Sequence, residues 1–442
     1  MGLQFTSSDQ VVALAPDSDS AKNGKKLANT RSWKNLGQNA EALWGECQGS
    51  GKDPYQVRVD TSTLTMTCSC PSRKQPCKHC LGILFIAVDT PSAVPSSEPP
   101  EWVTTWLAKR TAATKRKETK ETPKTTEAQA AEQKKRAEKR LVQVMKGIDR
   151  LDLWMNDLMR NGLASVEAQP ATFWEDQAAQ MIDAQAPGIG SALHRMATIP
   201  NASPNWPEKL LAQLGRTALL THTFRQVAKL DAPLQEDVRQ LIGWRLEQDE
   251  VAARGEMVAD DWFILGQKLL DEEKVREQRT WMLGTHTGRS ALILQFAFGQ
   301  TPFKDVFPVG THQETELVFY PGATPQRAQL MARRGEIMPI TEQFPAAETA
   351  DAFLASVTAI LARQPWQERF LCTLRDVTPL CDNNGTRWYI RDKTGVGLPL
   401  SKGNHWLLLA ISGGMPLDFA AEWDGETLSP LGVLVNSKYY VL

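Results

Sequence analysis

The sequence predicts an α+β protein of several domains: a small β-sheet-plus-helix module, a central helical region and a β-rich α+β region at the C-terminal end. Three observations lead to this prediction. The chain has 442 residues, about three times the length of a typical domain. Cysteines cluster near one end. The apolar residues recur with a helical period in the middle of the chain. After about residue 278 the segments have the composition and spacing of strands.

The composition excludes several broad classes of protein. The 50 Lys and Arg residues balance 51 Asp and Glu, so any nucleic-acid binding must rest on a local patch. Seven cysteines, mostly clustered, are typical of metal binding in a reducing compartment rather than of a disulfide framework. Neither a signal peptide nor an 18-residue apolar stretch is evident. We therefore expect a cytoplasmic protein that has no membrane partner.

Composition also divides the chain into regions. The four predicted regions are 1–90, 91–128, 129–277 and 278–442. The first contains the cysteine cluster. The second is rich in Pro, Thr, Lys and Glu, which predicts a flexible linker, with a short anchoring turn at Trp102 and Trp106.

Apolar periodicity predicts the main elements of the last two regions. Helices are expected at about 127–162, 172–185, 207–229, 233–248, 260–275 and 347–363. Strands are expected at 289–298, 314–320, 370–376, 387–391 and 406–412, with more after 417. The turn residues at 382–385 indicate a hairpin. Region 129–277 is therefore expected to be mostly helical, and region 278–442 to be β-rich with at least one helix.

The strongest chemical signal lies in residues 68–80, where four cysteines and one histidine occur within thirteen positions. Zinc prefers four nitrogen or sulfur ligands in a tetrahedron. Residues i and i+2 of an extended segment point to the same side, so Cys68 with Cys70, and Cys77 with His79, form two clamps. Four protein ligands leave no open position, which indicates one structural Zn²⁺ ion rather than a catalytic one.

The spacing leaves one ligand ambiguous. Cys77-x-x-Cys80 is itself a usable zinc pair, so Cys80 could compete with His79. The other cysteines, Cys47, Cys372 and Cys381, lie apart and are interpreted as structural. Around the cluster we expect a hairpin formed by 42–46 and 55–60, a third strand at 64–68 and a short buried helix at 81–88. The predicted module is a small sheet plus a helix pinned by zinc.

The order Cys68-x-Cys70-x6-Cys77-x-His79 resembles the SWIM zinc finger, in particular the stand-alone bacterial SWIM proteins. The resemblance covers roughly residues 40–88 and includes the stretch that begins at Trp44. It implies His79 rather than Cys80 as the fourth ligand, and a role in binding DNA or proteins. It also implies a macromolecular assembly, because such relatives often occur beside MoxR-type AAA+ ATPases and von Willebrand A-domain proteins.

Two functional hypotheses follow. In the first, the protein is not an enzyme, and its finger recognises protein or nucleic acid. Arg73, Lys74 and Lys78 could contact phosphates or a partner, although exposed basic residues are also ordinary surface residues. In the second, an enzyme site lies in the C-terminal region and the finger acts as a targeting device. The most polar compact segment there, 284–289, is also explained by a hairpin turn. We find none of the common catalytic motifs in the sequence.

Overall fold

The predicted α+β architecture is confirmed by the computed structural model, which has an N-terminal β module, a helical middle and a β-rich C-terminal part. The structure describes residues 8–16, 18–49, 53–61, 64–72, 74–118, 127–272, 275–299, 301–382 and 384–442. Within these ranges, every helix is too short or too polar to cross a bilayer.

The N-terminal module combines a small antiparallel sheet with three helices. Its strands are β1 (Trp33–Gln38), β2 (Ala42–Cys47), β3 (Tyr55–Asp60) and β4 (Met66–Cys68), which pair in that order. Its helices are α1 (Ser8–Ala13), α2 (Ser18–Lys26) and α3 (Lys78–Asp89). The predicted hairpin, third strand and buried helix are therefore all present. The sequence analysis missed α1, α2 and β1.

Helix α3 forms the centre of this module. Its residues from His79 to Ile86 are all buried, as expected for a helix that is apolar on every side and covered on every side. Helix α2 crosses it closely at Gly24, where an added Cβ would lie 2.6 Å from the Cβ of Leu81. The sheet covers α3 from the other direction, through residues such as Leu43 and Val57.

The segment predicted as a linker, 91–128, contains helix α4 (Glu101–Glu118). Its first turn packs on the N-terminal module: Val103 is buried against Trp44, and the guanidinium of Arg58 lies 5.5 Å from the ring centroid of Trp102. The predicted anchoring turn at the tryptophans is thus the start of a longer helix. Residues 119–126 lie outside the described residues, and the flexibility of the linker and the domain limits stay predictions.

The central region is helical as predicted. It contains α5 (Glu127–Asn161), α6 (Thr172–Asp183), α7 (Pro187–Met196), α8 (Trp206–Arg225), α9 (Ala232–Ile242) and α10 (Gln248–Arg254). The apolar stripe of α5 is buried from Val144 to Leu158, while Leu141 at its start is 41% exposed. Helices α7 and α10 were not predicted. Helix α7 begins with a proline and has two glycines in its first turn, which are typical of turns, and α10 has only seven residues.

The C-terminal region has two six-stranded sheets, in which most neighbouring strands are antiparallel. The first has the order β10-β8-β5-β6-β7-β9 and the second the order β13-β12-β11-β14-β15-β16. The strands of the first sheet are β5 (Glu256–Glu272), β6 (Val275–Gly284), β7 (Ser290–Phe298), β8 (Thr311–Phe319), β9 (Arg327–Arg333) and β10 (Met338–Pro339). Those of the second are β11 (Phe370–Cys381), β12 (Trp388–Arg391), β13 (Gly397–Pro399), β14 (Leu417–Trp423), β15 (Leu428–Val435) and β16 (Lys438–Val441). Two helices, α11 (Ala350–Arg363) and α12 (Trp406–Ser412), complete the region.

Two element predictions were wrong. Residues 260–275 are not a helix, because strand β5 fills that stretch, so the helices of the predicted region 129–277 end at Arg254. Strand β5 lies between β8 and β6, and both of its faces are buried at residues 262–266. A strand buried on both faces lacks the alternation of apolar and polar residues by which strands are recognised. Residues 406–412 form helix α12 rather than a strand. A short apolar run cannot be assigned from periodicity alone.

The N-terminal module also packs on the first C-terminal sheet. Ile337, which precedes β10, is fully buried in the same apolar cluster as the interior face of α3. The hydroxyl of Thr65 donates to the backbone carbonyl of Lys304 at 2.7 Å, and the side chain of Gln10 donates to the carbonyl of Ile337. A residue some 250 positions beyond the finger therefore completes its core.

This contact gives a first prediction. Replacing Ile337 with alanine should lower the stability of the N-terminal module by about 2–5 kcal/mol, because it leaves a cavity in a core that is already small. Limited proteolysis of the first ninety residues measures the effect. Met338→Ala is the matched control, since Met338 is 44% exposed. Equal protease resistance of the two variants would show that the C-terminal region does not support the finger.

Candidate metal centre

Two structural elements deliver the predicted zinc ligands. Strand β4 ends at Cys68, and Cys70 lies two residues further along. After the intervening loop, Cys77 occupies the N-cap position of α3 in an extended conformation, and His79 lies in the first helical turn. A strand end and a helix start thus face each other across the loop, as the two-clamp interpretation requires.

The four donor atoms converge. The Nδ1 atom of His79 lies 3.7 Å from the Sγ of Cys68 and 3.9 Å from the Sγ of Cys77. With Cys70 included, all four donor atoms lie within 4.8 Å of one another. A tetrahedral zinc ion with bonds of about 2.0–2.3 Å would hold its donors roughly 3.6–3.8 Å apart. The donor set and its dimensions therefore fit one zinc ion.

Hydrogen bonds from the neighbouring thiols, that of Cys68 first, lower the pKa of Cys77, and packing holds the imidazole of His79 in place. The cluster stands at the N-terminus of α3, where the helix dipole is positive and stabilises negative charge. His79 is only 5% exposed, and its ring packs against that of Tyr55 with the centroids 4.9 Å apart. When bound, the metal would cross-link strand β4 to helix α3. The chemistry it supplies is structural, since no donor position is left for water or substrate.

The remaining cysteines differ in how close they lie to this centre. The Sγ of Cys80 lies 3.6 Å from that of Cys77, yet Cys80 is fully buried in the apolar core and lies outside the converging set of donors. Burial raises the pKa of Cys47 to about 11 and raises that of Cys372 as well. Both therefore stay protonated thiols, as expected for structural cysteines. Cys381 lies far away, at the end of β11.

The predicted contact residues flank the second clamp. Lys74 lies in the loop and Lys78 at the start of α3, and both are exposed. Arg73 lies outside the described residues. The structure thus places two of the three basic side chains at the surface beside the metal centre.

The polar segment at 284–289, which the sequence analysis considered as a possible active site, forms the turn between β6 and β7. The buried carboxylate of Asp260 accepts hydrogen bonds from the backbone N–H groups of His286 and Thr287 at 3.1 and 2.9 Å. Burial acts to raise the pKa of Asp260, but hydrogen bonds from Thr287 and His286 outweigh it and lower the pKa to about 2. The Thr287 hydroxyl is bound to the same carboxylate at 2.6 Å. These contacts account for the segment as a turn stabilised by a buried carboxylate.

Sequence reasoning did not find Asp260, because it lies 26 residues before His286 and only the pairing of β5 with β6 brings the two together. It also missed Tyr55 as the ring that supports His79. The only signal for Tyr55 was its place at the start of a predicted strand.

A closed site of three thiols and one imidazole, carried by a small sheet and a short helix, defines the N-terminal module as a zinc finger. Comparison with protein families identifies it further. Residues 55–87 match the model of the SWIM zinc finger, and residues 139–242 match that of the SWIM-associated four-helix bundle domain. The first match confirms the predicted resemblance to the SWIM zinc finger, and the two matches together cover less than a third of the chain.

The second match was not foreseen from the sequence. It runs from within α5 to the end of α9, so most of the helical region is similar to the domain that this family model describes. No curated protein matches the chain significantly.

Proposed function

We propose that this protein is not an enzyme and that its zinc finger recognises a partner protein within a macromolecular assembly in the cytoplasm. One observation carries the proposal. The four donors, Cys68, Cys70, Cys77 and His79, form a closed site that fixes a surface loop against the first turn of α3. Zinc in such a site shapes a surface and leaves no position for catalysis.

Protein rather than nucleic acid is proposed as the primary partner because the chain as a whole has a formal charge of −1. Nucleic-acid binding draws most of its affinity from neutralised phosphates. The resemblance noted above suggests a MoxR-type AAA+ ATPase and a von Willebrand A-domain protein as the partners to test first.

The test is quantitative co-purification from the native host. Tagged wild-type protein should enrich a defined set of proteins, and Cys70→Ser should lose that enrichment because the recognition surface collapses without the metal. Cys372→Ser is the matched control, since that thiol is buried far from the finger. Identical sets of proteins recovered with wild-type protein and Cys70→Ser would contradict a role for the finger in recognition.

A nucleic-acid role is the second candidate, and the exposed Lys74 and Lys78 beside the metal centre favour it. If DNA binds there, a gel shift should weaken steeply between 50 and 200 mM salt, because each phosphate contact releases counterions. The triple variant Arg73→Ala, Lys74→Ala and Lys78→Ala should reduce both the affinity and the slope of this salt dependence. Equal shifts for the triple variant and the wild type would exclude DNA contact through these residues.

A further inference from the structure

A cavity of about 790 Å³ lies where the finger meets the first C-terminal sheet. Its walls come from α1, from the zinc loop, from β5 and β6, and from the segment that precedes β8. This volume is within the range of ligand sites in proteins. The cavity includes Lys74, Gln75 and Pro76, so residues between the two zinc clamps form part of a binding wall.

The walls are mostly apolar and partly exposed. Phe303 and Phe307 contribute aromatic surface. Val12, Leu269 and Val441 also line the cavity, and they are 43%, 54% and 50% exposed. Single exposed apolar side chains are common, but several in one concavity indicate a site that an apolar partner covers.

The polar groups of the cavity indicate what that partner carries. The charged lining residues are two basic ones, Lys74 and Arg276, and one acidic one, Asp305. Arg276 donates to the carbonyls of Gly299 and Thr301 at 2.8 and 2.5 Å, which holds its positive charge at the cavity wall.

We propose that this cavity binds a short extended peptide segment of a partner protein, with two apolar side chains on either side of an acidic one. The apolar side chains cover the aromatic and aliphatic walls, and the carboxylate lies near the basic lining residues Lys74 and Arg276. Successive side chains of an extended peptide point to opposite sides, so one short segment presents apolar side chains to one wall and a carboxylate to another. The inference rests on the proposed function, since it names the kind of partner that the finger region takes.

Direct binding to the full-length, zinc-loaded protein tests this proposal. The probes are three fluorescein-labelled peptides in a common Gly-Ser frame, with central sequences Leu-Asp-Leu, Leu-Lys-Leu and Ser-Asp-Ser. Fluorescence anisotropy should show binding of the first at least tenfold tighter than of the other two. In the protein labelled at methionine methyl groups, the NMR signal of Met66, which lines the cavity, should shift on addition of the first peptide.

Variants locate the site. Leu269→Glu should weaken binding of the Leu-Asp-Leu peptide at least tenfold, because it places a carboxylate on the apolar wall. Leu153→Glu is the matched control: Leu153 is 67% exposed on α5, away from the cavity, so binding should not change. The proposal is overturned if the three peptides bind equally or not at all, if the Met66 signal stays fixed, or if Leu269→Glu binds like the wild type. Any of these results, combined with partners that co-purify only with an intact finger, would reject the cavity while leaving the proposed function standing.

Discussion

Replacing Cys70 with serine should release the zinc ion and unfold residues 40–88. Structural zinc contributes about 10–16 kcal/mol in small fingers at neutral pH, more than a module of this size gains from its own apolar core. The first ninety residues should become sensitive to protease. The helical region should keep its far-UV circular dichroism signal, because its core of residues from α5 to α9 is separate from that of the finger.

The contacts of the finger with the C-terminal sheet refine this expectation. Ile337 stays attached to β10 after the metal is lost, so its side chain becomes exposed when the finger core opens. Cys47→Ser serves as the control, since Cys47 is buried but lies outside the donor cluster. Unchanged protease resistance of the first ninety residues in Cys70→Ser would mean that the fold does not depend on the ion.

Replacing Glu422 with alanine should destabilise the C-terminal sheets by about 3–5 kcal/mol, the usual cost of removing one partner from a buried ion pair. Glu422 is 2% exposed and lies on β14. Its carboxylate accepts from Arg369 and from the indole of Trp281, both at 2.8 Å, and from Arg279 at 3.2 Å. Trp281 and Arg279 belong to β6, so this carboxylate joins the two sheets.

The loss should appear as a lower midpoint of urea-induced unfolding followed by tryptophan fluorescence. Glu348→Ala is the control: its carboxylate pairs with Lys393 at 2.5 Å, but both side chains are more than half exposed, and pairs of this kind contribute little. A Glu422→Ala protein as stable as the control would show that the buried pairs are not required to hold the sheets together.

The metal centre could be predicted from the sequence because its ligands are local. Cys68 and His79 are only eleven positions apart, and a short loop is enough to bring the two clamps together. The helix that follows was predicted for the same reason, since the apolar run after His79 begins directly at the site. The helical region was predicted almost as well, because the stripe on α5 repeats with a clear helical period.

The features that the sequence did not reveal depend on distant contacts. Ile337 packs into the finger core, and Glu422 pairs with residues of another sheet. The local sequence around these two residues contains no motif that indicates these contacts. Strand β5 was mistaken for a helix because a strand buried on both faces lacks alternation. The cavity beside the zinc loop is assembled from segments at both ends of the chain, so only the fold reveals it.

The zinc content of full-length protein purified without chelators tests the central claim most directly. Elemental analysis should find one zinc ion per chain in the wild type and in Cys80→Ser, and almost none in His79→Ala. If His79→Ala retained zinc and Cys80→Ser lost it, the fourth ligand would be Cys80 rather than His79. A wild-type protein without stoichiometric zinc would contradict the account of the finger and the recognition proposed for it.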